Sequence, residues 1–167
     1  MANHSRGAAA ATRPAPALEA DAAALYTAMT DLLRVYQFRD RDRAGYHGLT
    51  ITQCYVLEVL ERRGPITLNA LAEEMRLDKS TLSRVVDGLE RKKSVRRMAN
   101  PSDGRSALLA TTAAGASRYR RVAAELIAEN ARVLSGFPAT TRRQLIELIG
   151  RLARAARDRE LEAVEGA

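Results

Sequence analysis

The chain has 167 residues, 46% of them hydrophobic and 28% charged, which is the composition of an ordinary folded domain rather than of a disordered chain. One cysteine excludes an internal disulfide framework, and no apolar stretch is long enough for a transmembrane helix. The 27 basic and 20 acidic residues give a net charge of +7, which favours a polyanionic partner. A coding bias toward arginine would produce the same overall excess, so the positions of the charges decide between the two explanations.

The N-terminal part predicts a tail followed by a helix. Residues 1–16 are low in complexity and lack bulky apolar side chains, which is typical of a disordered tail. From Ala17, apolar residues recur at helical spacing as far as Tyr36. The pattern fades in the charged run at residues 39–43, and Gly45 and Gly48 then indicate a loop.

Three short helices are predicted next. Thr50 and Gln53 have the spacing of a capping box, and Gly64-Pro65 ends that first helix. Thr67 and Asp78 are the predicted N-caps of the second and third helices. Each of the three helices also has a predicted apolar stripe at helical spacing, made by Cys54, Leu57 and Leu60, by Leu68, Leu71, Ala72 and Met75, and by Leu82, Val85, Val86 and Leu89.

A β-hairpin and two longer helices complete the pattern. Residues 94–98 and 105–111 are the predicted strands, joined by the polar turn at residues 100–104. A long helix follows Thr112, the Phe137-Pro138 pair breaks it, and a final helix begins at about Thr140.

Three helices followed by a two-stranded ribbon predict a winged helix-turn-helix, whose third helix enters a DNA major groove. The first two turns after Asp78 carry hydroxyl and cationic groups suited to phosphates and base edges. The predicted DNA-binding residues of this helix are Lys79, Ser80, Thr81, Ser83 and Arg84. Residues 76–106 carry nine basic and four acidic residues, or +5 of the total +7, which favours DNA contact over a merely solvated polar face.

The hairpin supplies three further predicted DNA-binding residues, Arg97, Asp103 and Arg105. Arg105 at the tip is suited to a narrow minor groove. Asp103 is expected to hold the Arg105 guanidinium, with Arg97 as its alternative partner. A routine Asx-type turn with an exposed arginine is the other interpretation.

The segments LTITQCYVL, LNALAEEM, LDKSTLSRVVDGLE, DGR and TTAAG together resemble the MarR family of bacterial transcriptional regulators over roughly residues 49–115. The resemblance implies a homodimer with one winged helix-turn-helix per protomer, often combined with a small-molecule or oxidant sensor. It places the recognition-helix positions at residues 78–84 and the wing Asp-x-Arg at Asp103 and Arg105. Two departures stand out. Lys93 replaces the usual glycine after the recognition helix, which favours a different helix end because a left-handed lysine is costly. Thr111 replaces a usual leucine.

The predicted fold is mainly α with a small β-hairpin wing, a winged helix-turn-helix plus a helical dimerisation region. The predicted boundaries are residues 1–16 for the tail, 17–45 and 113–160 for the dimerisation region, and 46–112 for the DNA-binding domain.

Two candidate sensor sites remain. Tyr36, Arg39, Tyr46 and His47, together with Phe38, could form a pocket for an aromatic or anionic ligand, although a lone loop histidine is more often solvated. Cys54 lies near a helix N-terminus, which favours a thiolate, but it also lies on the apolar stripe, where packing is the ordinary role.

No catalytic motif, metal site or cofactor site is predicted. The predicted function is a cytoplasmic, homodimeric, sequence-specific regulator of transcription, more specifically a repressor, on double-stranded DNA with a pseudo-palindromic operator. A winged-helix module that binds protein instead of DNA is the alternative; such a face should be poorer in charge and richer in aromatic residues.

Overall fold

The computed structural model describes residues 15–165, without the side chains at 41, 43, 44, 46, 160, 161, 164 and 165. Within these residues, six helices accompany a three-stranded antiparallel sheet. The elements in chain order are α1 (Pro16–Tyr46), α2 (Ile51–Arg63), β1 (Ile66–Thr67), α3 (Leu68–Met75), α4 (Lys79–Arg91), β2 (Val95–Ala99), β3 (Ala107–Thr111), α5 (Ala113–Ser135) and α6 (Ala139–Glu165). The mainly helical fold with a small wing is confirmed.

Helix α1 is longer than predicted. It begins at Pro16, whose fixed φ suits the first helical position, and it continues through the charged run at 39–43. The expectation that the helix fades there was wrong, because arginine is a good helix former.

The predicted disordered tail lies, up to residue 14, outside the described residues. The chain divides into two compact units, the first ending at Asp42 and the second beginning at Arg43.

The predicted helix starts in the second unit are confirmed. Thr50 Oγ1 accepts a hydrogen bond from the Gln53 backbone N–H at 3.2 Å, and Gln53 Oε1 accepts one from the Thr50 N–H at 3.1 Å. These reciprocal bonds form the capping box. Thr67, Asp78 and Thr112 are the N-caps of α3, α4 and α5, and the side chain of each accepts a hydrogen bond from the backbone N–H three residues on.

The core of the second unit forms where α2, α3, α4 and α5 meet the sheet. Its fully buried side chains include Leu57, Leu71, Leu82, Leu89 and Leu109. The four leucines on α2, α3 and α4 lie on the apolar stripes that the helical spacing predicted. Leu109 comes from β3 of the wing. Hydrophobic burial therefore fixes α4 and the wing against one common core.

The sheet contains a strand that the sequence pattern did not predict. Strand β1 has two residues, with Ile66 opposite Leu109 and Thr67 opposite Leu108. The strand order is β1-β3-β2, so β3 is central. Strand β3 begins at Ala107; the prediction that it begins at Arg105 was wrong, because Arg105 belongs to the turn.

Helix α4 ends in a left-handed residue, and the expectation of a different end was wrong. Lys93 has φ of 55°. Its N–H donates to the Glu90 carbonyl, and the Ser94 N–H donates to the Leu89 carbonyl, both at 2.8 Å. These two bonds form a Schellman motif, normally completed by glycine. The lysine therefore adopts a conformation that costs about 1 kcal/mol relative to glycine.

Thr111, which stands where the MarR family usually has leucine, leaves a polar atom buried. The Thr111 hydroxyl oxygen is buried and, among the described residues, has no hydrogen-bond partner. An apolar side chain at this position would avoid that desolvation cost.

No helix in the described part of the chain has both the length and the apolar character needed to cross a membrane.

Candidate nucleic-acid interface

The N-terminus of α4 is organised by Asp78. Its Oδ1 accepts hydrogen bonds from the Ser80 hydroxyl at 2.7 Å and from the Thr81 N–H at 2.8 Å. These bonds, that from Ser80 foremost, hold the pKa of the exposed Asp78 carboxyl far below its ordinary value. Asp78 is therefore ionised at neutral pH, and the proton of the Ser80 hydroxyl is directed to it. Ser80 must exchange this bond to donate to a phosphate.

The other predicted residues of α4 differ in exposure. Lys79 and Arg84 are exposed, whereas Thr81 and Ser83 are half-buried. Neither the Lys79 ammonium nor the Arg84 guanidinium has a hydrogen bond or ion pair with another described residue. Their charges are available to an external anion without breaking an internal bond.

Arg97 has internal partners. Its Nε donates to Glu90 Oε2 at 3.1 Å, and its Nη2 lies 3.3 Å from Asp87 Oδ1. The prediction that Asp103 is its alternative partner was wrong, because Asp87 and Glu90 lie one turn apart on α4, within reach of β2. Arg97 thus connects the wing to α4, and its charge is compensated.

The wing tip is held by hydrogen bonds within its turn. Asp103 Oδ1 accepts from the Arg105 backbone N–H at 3.0 Å, and the Asn100 amide donates to the Ser106 hydroxyl at 2.8 Å. The expected pair between Asp103 and the Arg105 guanidinium is not formed, so this prediction was wrong and the Asx-type turn describes the tip. The Arg105 guanidinium is exposed and unpaired within residues 15–165.

A cavity of about 230 Å³ adjoins the wing. It is lined by Thr67, Leu68, Asn69, Arg97, Arg105, Ser106 and Ala107. Asn69, in the first turn of α3, is exposed and was not among the predicted residues. Strand β1, which gave no recognisable sequence pattern, pairs with β3 directly before this turn and so places it beside the wing.

The predicted ligand-binding residues form two separate contacts. The Arg39 guanidinium lies 4.0 Å from the centre of the Tyr36 ring and pairs with Asp40 at 2.7 Å. His47 Nε2 lies 2.9 Å from Glu125 Oε1 on α5. These contacts belong to different units of the chain, and the side chain of Tyr46 lies outside the described residues. A common pocket remains a prediction.

Cys54 is 6% exposed and packs in the hydrophobic core. This burial fits the packing role and not the exposed thiol that redox sensing requires. Among the described residues, no three His, Cys, Asp or Glu side chains are grouped closely enough to hold a metal ion.

Comparison with known proteins agrees with this geometry. The model of the MarR family matches residues 47–106. The HTH-type transcriptional repressor MdtR of Bacillus subtilis is 31% identical over 109 residues, covering 65% of this chain and 70% of MdtR. The chain belongs to the MarR family. This assignment confirms the predicted resemblance and the interpretation as a transcriptional regulator rather than an enzyme.

Two further proteins are similar to this MarR-family chain. The uncharacterized HTH-type transcriptional regulator YxaD of Bacillus subtilis is 34% identical over 87 residues, or 52% of this chain and 61% of YxaD. The match thus spans less than two thirds of that relative. The solved structure of RV1404 from Mycobacterium tuberculosis is 26% identical, with a TM-score of 0.67, covering 87% of this chain and 97% of RV1404.

Proposed function

We propose that this MarR-family regulator is a homodimeric repressor that reads double-stranded DNA with α4 and the wing. The observation that carries the proposal is the set of uncompensated cations at Lys79, Arg84 and Arg105, on the two elements that a winged helix-turn-helix presents to DNA. By contrast, Arg97 is compensated by α4, so we assign it to the wing's support rather than to DNA.

The dimer is supported by apolar side chains without a core. Exposed large apolar residues on α1 include Leu25, Met29 and Leu32, and those on α6 include Leu145, Ile149 and Leu152. Exposed apolar surface of this kind marks an interface. Tyr119 and Leu126 of α5, by contrast, pack against the protomer's own core. A two-fold dimer would place two α4 helices about 34–36 Å apart and require a pseudo-palindromic operator.

An effector and a location follow from the same proposal. The Arg39 guanidinium stacked on the Tyr36 ring suits a small aromatic or anionic effector. Operator binding would place the protein in the bacterial cytoplasm.

The alternative, a winged-helix module for protein partners, is disfavoured by the charge of this surface. A protein-binding surface is depleted of charge at its centre, whereas α4 and the wing carry the exposed cations.

A titration tests the proposal. The full chain is titrated against fluorescent duplexes enriched from a random library, at two salt concentrations. We expect saturable, sequence-preferring binding whose logarithmic affinity falls linearly with the logarithm of salt.

The control compares two double variants of equal charge. Lys79→Ala/Arg84→Ala should weaken binding and flatten the salt slope, whereas Arg121→Ala/Arg143→Ala should do neither. Equal losses in both variants, or no enriched sequence with the wild-type chain, would contradict the proposal.

A further inference from the structure

The three residues that follow α4, residues 92–94, form a polar junction between the recognition helix and the rest of the second unit. Lys93 is left-handed, and Ser94 is fully buried although it is polar. We call these residues the α4 junction. A strained turn persists only where its surroundings hold it, so the groups that contact the junction determine where α4 ends.

Helix α5 supplies most of these contacts. The Arg118 Nη1 donates to the Lys92 carbonyl at 3.0 Å and contacts the Ser94 hydroxyl at 3.1 Å. Thr112, the N-cap of α5, donates its hydroxyl to the Lys93 carbonyl at 2.6 Å and its N–H to the Ser94 carbonyl at 3.0 Å. All three junction residues are therefore bonded to the first two turns of α5 or to its cap.

The start of α2 holds the junction from another direction. The Lys92 ammonium donates to the Gly48 carbonyl at 2.6 Å and to Gln53 Oε1 at 2.7 Å. Gln53 is itself buried in the capping box and lies close to Gly88 of α4, where an added Cβ would be 2.8 Å from its Nε2. The end of α4 thus has fixed partners on α2 as well as on α5.

Arg118 differs from the other contacts in its chemistry. A guanidinium beside the last carbonyls of a helix is favoured by the helix dipole and by charge-assisted hydrogen bonds. It is also a side chain of α5 that reaches the end of α4 directly, and α5 exposes Ile127 and Val133 on a part of its surface that the core does not cover. A shift of α5 would be transmitted to α4 through this contact.

We propose that Arg118 is a positioning residue that fixes the recognition helix to α5 and thereby sets the half-site spacing that the dimer accepts. This inference rests on the proposed dimeric DNA binding. In this proposal Arg118 does not contact DNA bases; it acts by holding the α4 junction in place.

The test measures affinity as a function of operator spacing. The operator enriched with the wild-type chain is synthesised with its half-sites moved by one base pair in either direction, which changes their separation by about 3.4 Å. The wild type should lose about tenfold or more in affinity on each altered operator, because one half-site then disengages. Arg118→Met should bind the native spacing more weakly and lose less than about threefold on the altered ones.

Arg121→Met is the matched control, because Arg121 is an exposed arginine of the same helix with no partner among the described side chains. It should keep the wild-type spacing profile. Arg118→Lys, which retains a cation, should restore part of the discrimination, whereas Ser94→Ala should broaden the profile like Arg118→Met but less. Should Arg118→Met fail to fold, these two variants decide the question.

An equally steep profile in Arg118→Met and Arg121→Met would overturn the positioning role while leaving DNA binding intact. A wild-type chain that enriches no operator would instead overturn the proposed function. The two failures are therefore distinguishable.

Discussion

The winged helix-turn-helix and the two terminal helices use their apolar residues in opposite ways. In the segment from α2 to β3, most of the large apolar side chains are buried in, or packed against, one core shared by helices and wing, whereas Tyr55 is exposed. In α1 and α6, side chains such as Leu32 and Ile149 are about half exposed, at 49% and 51%. The first region, together with α5, buries its apolar residues within one chain. The two terminal helices instead leave much of their apolar surface exposed.

The two regions therefore meet two different structural requirements: the rigidity of each DNA-binding surface and the distance between two such surfaces. A DNA-reading surface must be rigid before DNA arrives, and burial within one chain achieves that. The distance between two such surfaces must be set by something outside each of them, and apolar helices that are completed by a second copy can set it.

The largest expected effect comes from placing a charge on α6. Ile149→Glu should give a monomer at micromolar concentration and lower operator affinity by about 100-fold or more, since each half-site must then bind separately. Sedimentation velocity and anisotropy measure the two effects. Gln144→Glu adds the same charge at a polar exposed position and should change neither. A stable Ile149→Glu dimer would show that the exposed apolar residues of α6 do not form the dimer interface.

Within the winged segment, the largest effect should come from Arg84. Arg84→Ala should weaken operator binding by about 1–3 kcal/mol and relax the preference at one base pair per half-site, because an arginine can bind guanine bidentately. Binding to single-base-pair operator variants measures this. Arg91→Ala, at the other end of α4, is the control. An equal loss on operator and random DNA would identify Arg84 as a phosphate contact.

The wing should contribute less, and in a way that depends on the flanks. Arg105→Ala should weaken binding severalfold on A·T-rich flanks and less on G·C-rich flanks, since an arginine reads the narrow minor groove of A·T-rich DNA. Titrations on two operators that differ only in their flanks test it, with Arg96→Ala on β2 as control. Flank-independent affinity loss contradicts the minor-groove assignment.

A smaller effect concerns the stability of the winged segment alone. Thr111→Val should stabilise the protein by about 1 kcal/mol, because it removes a buried hydroxyl that has no partner among residues 15–165. Urea denaturation measures the change. Thr111→Ser keeps the hydroxyl and should not stabilise. A destabilised valine variant would mean that the hydroxyl is paired in solution.

The smallest effect is expected at the end of α4. Lys93→Gly should stabilise by roughly 0.5 kcal/mol, because glycine adopts positive φ without a Cβ penalty but gains freedom in the unfolded chain. Lys93→Ala removes the charge without relieving the backbone and should gain nothing. The two denaturation midpoints give the comparison, and equal midpoints would show that the lysine is not strained.

The accuracy of the sequence predictions follows how local each interaction is. The capping box of Thr50 and Gln53 and the cap at Asp78 were predictable because both partners lie within four residues. The apolar stripes were predictable because burial repeats with the helical period. Strand β1 could not be predicted, because two residues are too few to show an alternating pattern and because its pairing depends on β3, about 40 residues later in the chain.

The candidate site shows the same limit. The exposed cations Lys79, Arg84 and Arg105 could be named from their place in the motif. The partners of Arg97 could not, because Asp87 and Glu90 reach it only once β2 lies beside α4. At Lys93 the local cost predicted another helix end. The turn is nevertheless held by hydrogen bonds from Thr112, the N-cap of α5, to the Lys93 carbonyl and from Arg118 to the Lys92 carbonyl.

Gly115 in the first turn of α5 packs directly against the α4 junction. A Cβ at this buried position would collide with the backbone carbonyl of Ser94, and backbone yields far less readily than a side chain. Gly115→Ala is the smallest possible substitution. Its added methyl group should push α5 away from the α4 junction without altering any residue assigned to DNA binding. For the proposed repressor, a screen for variants that leave a reporter permanently expressed should recover substitutions at Gly115 as readily as substitutions at Arg84.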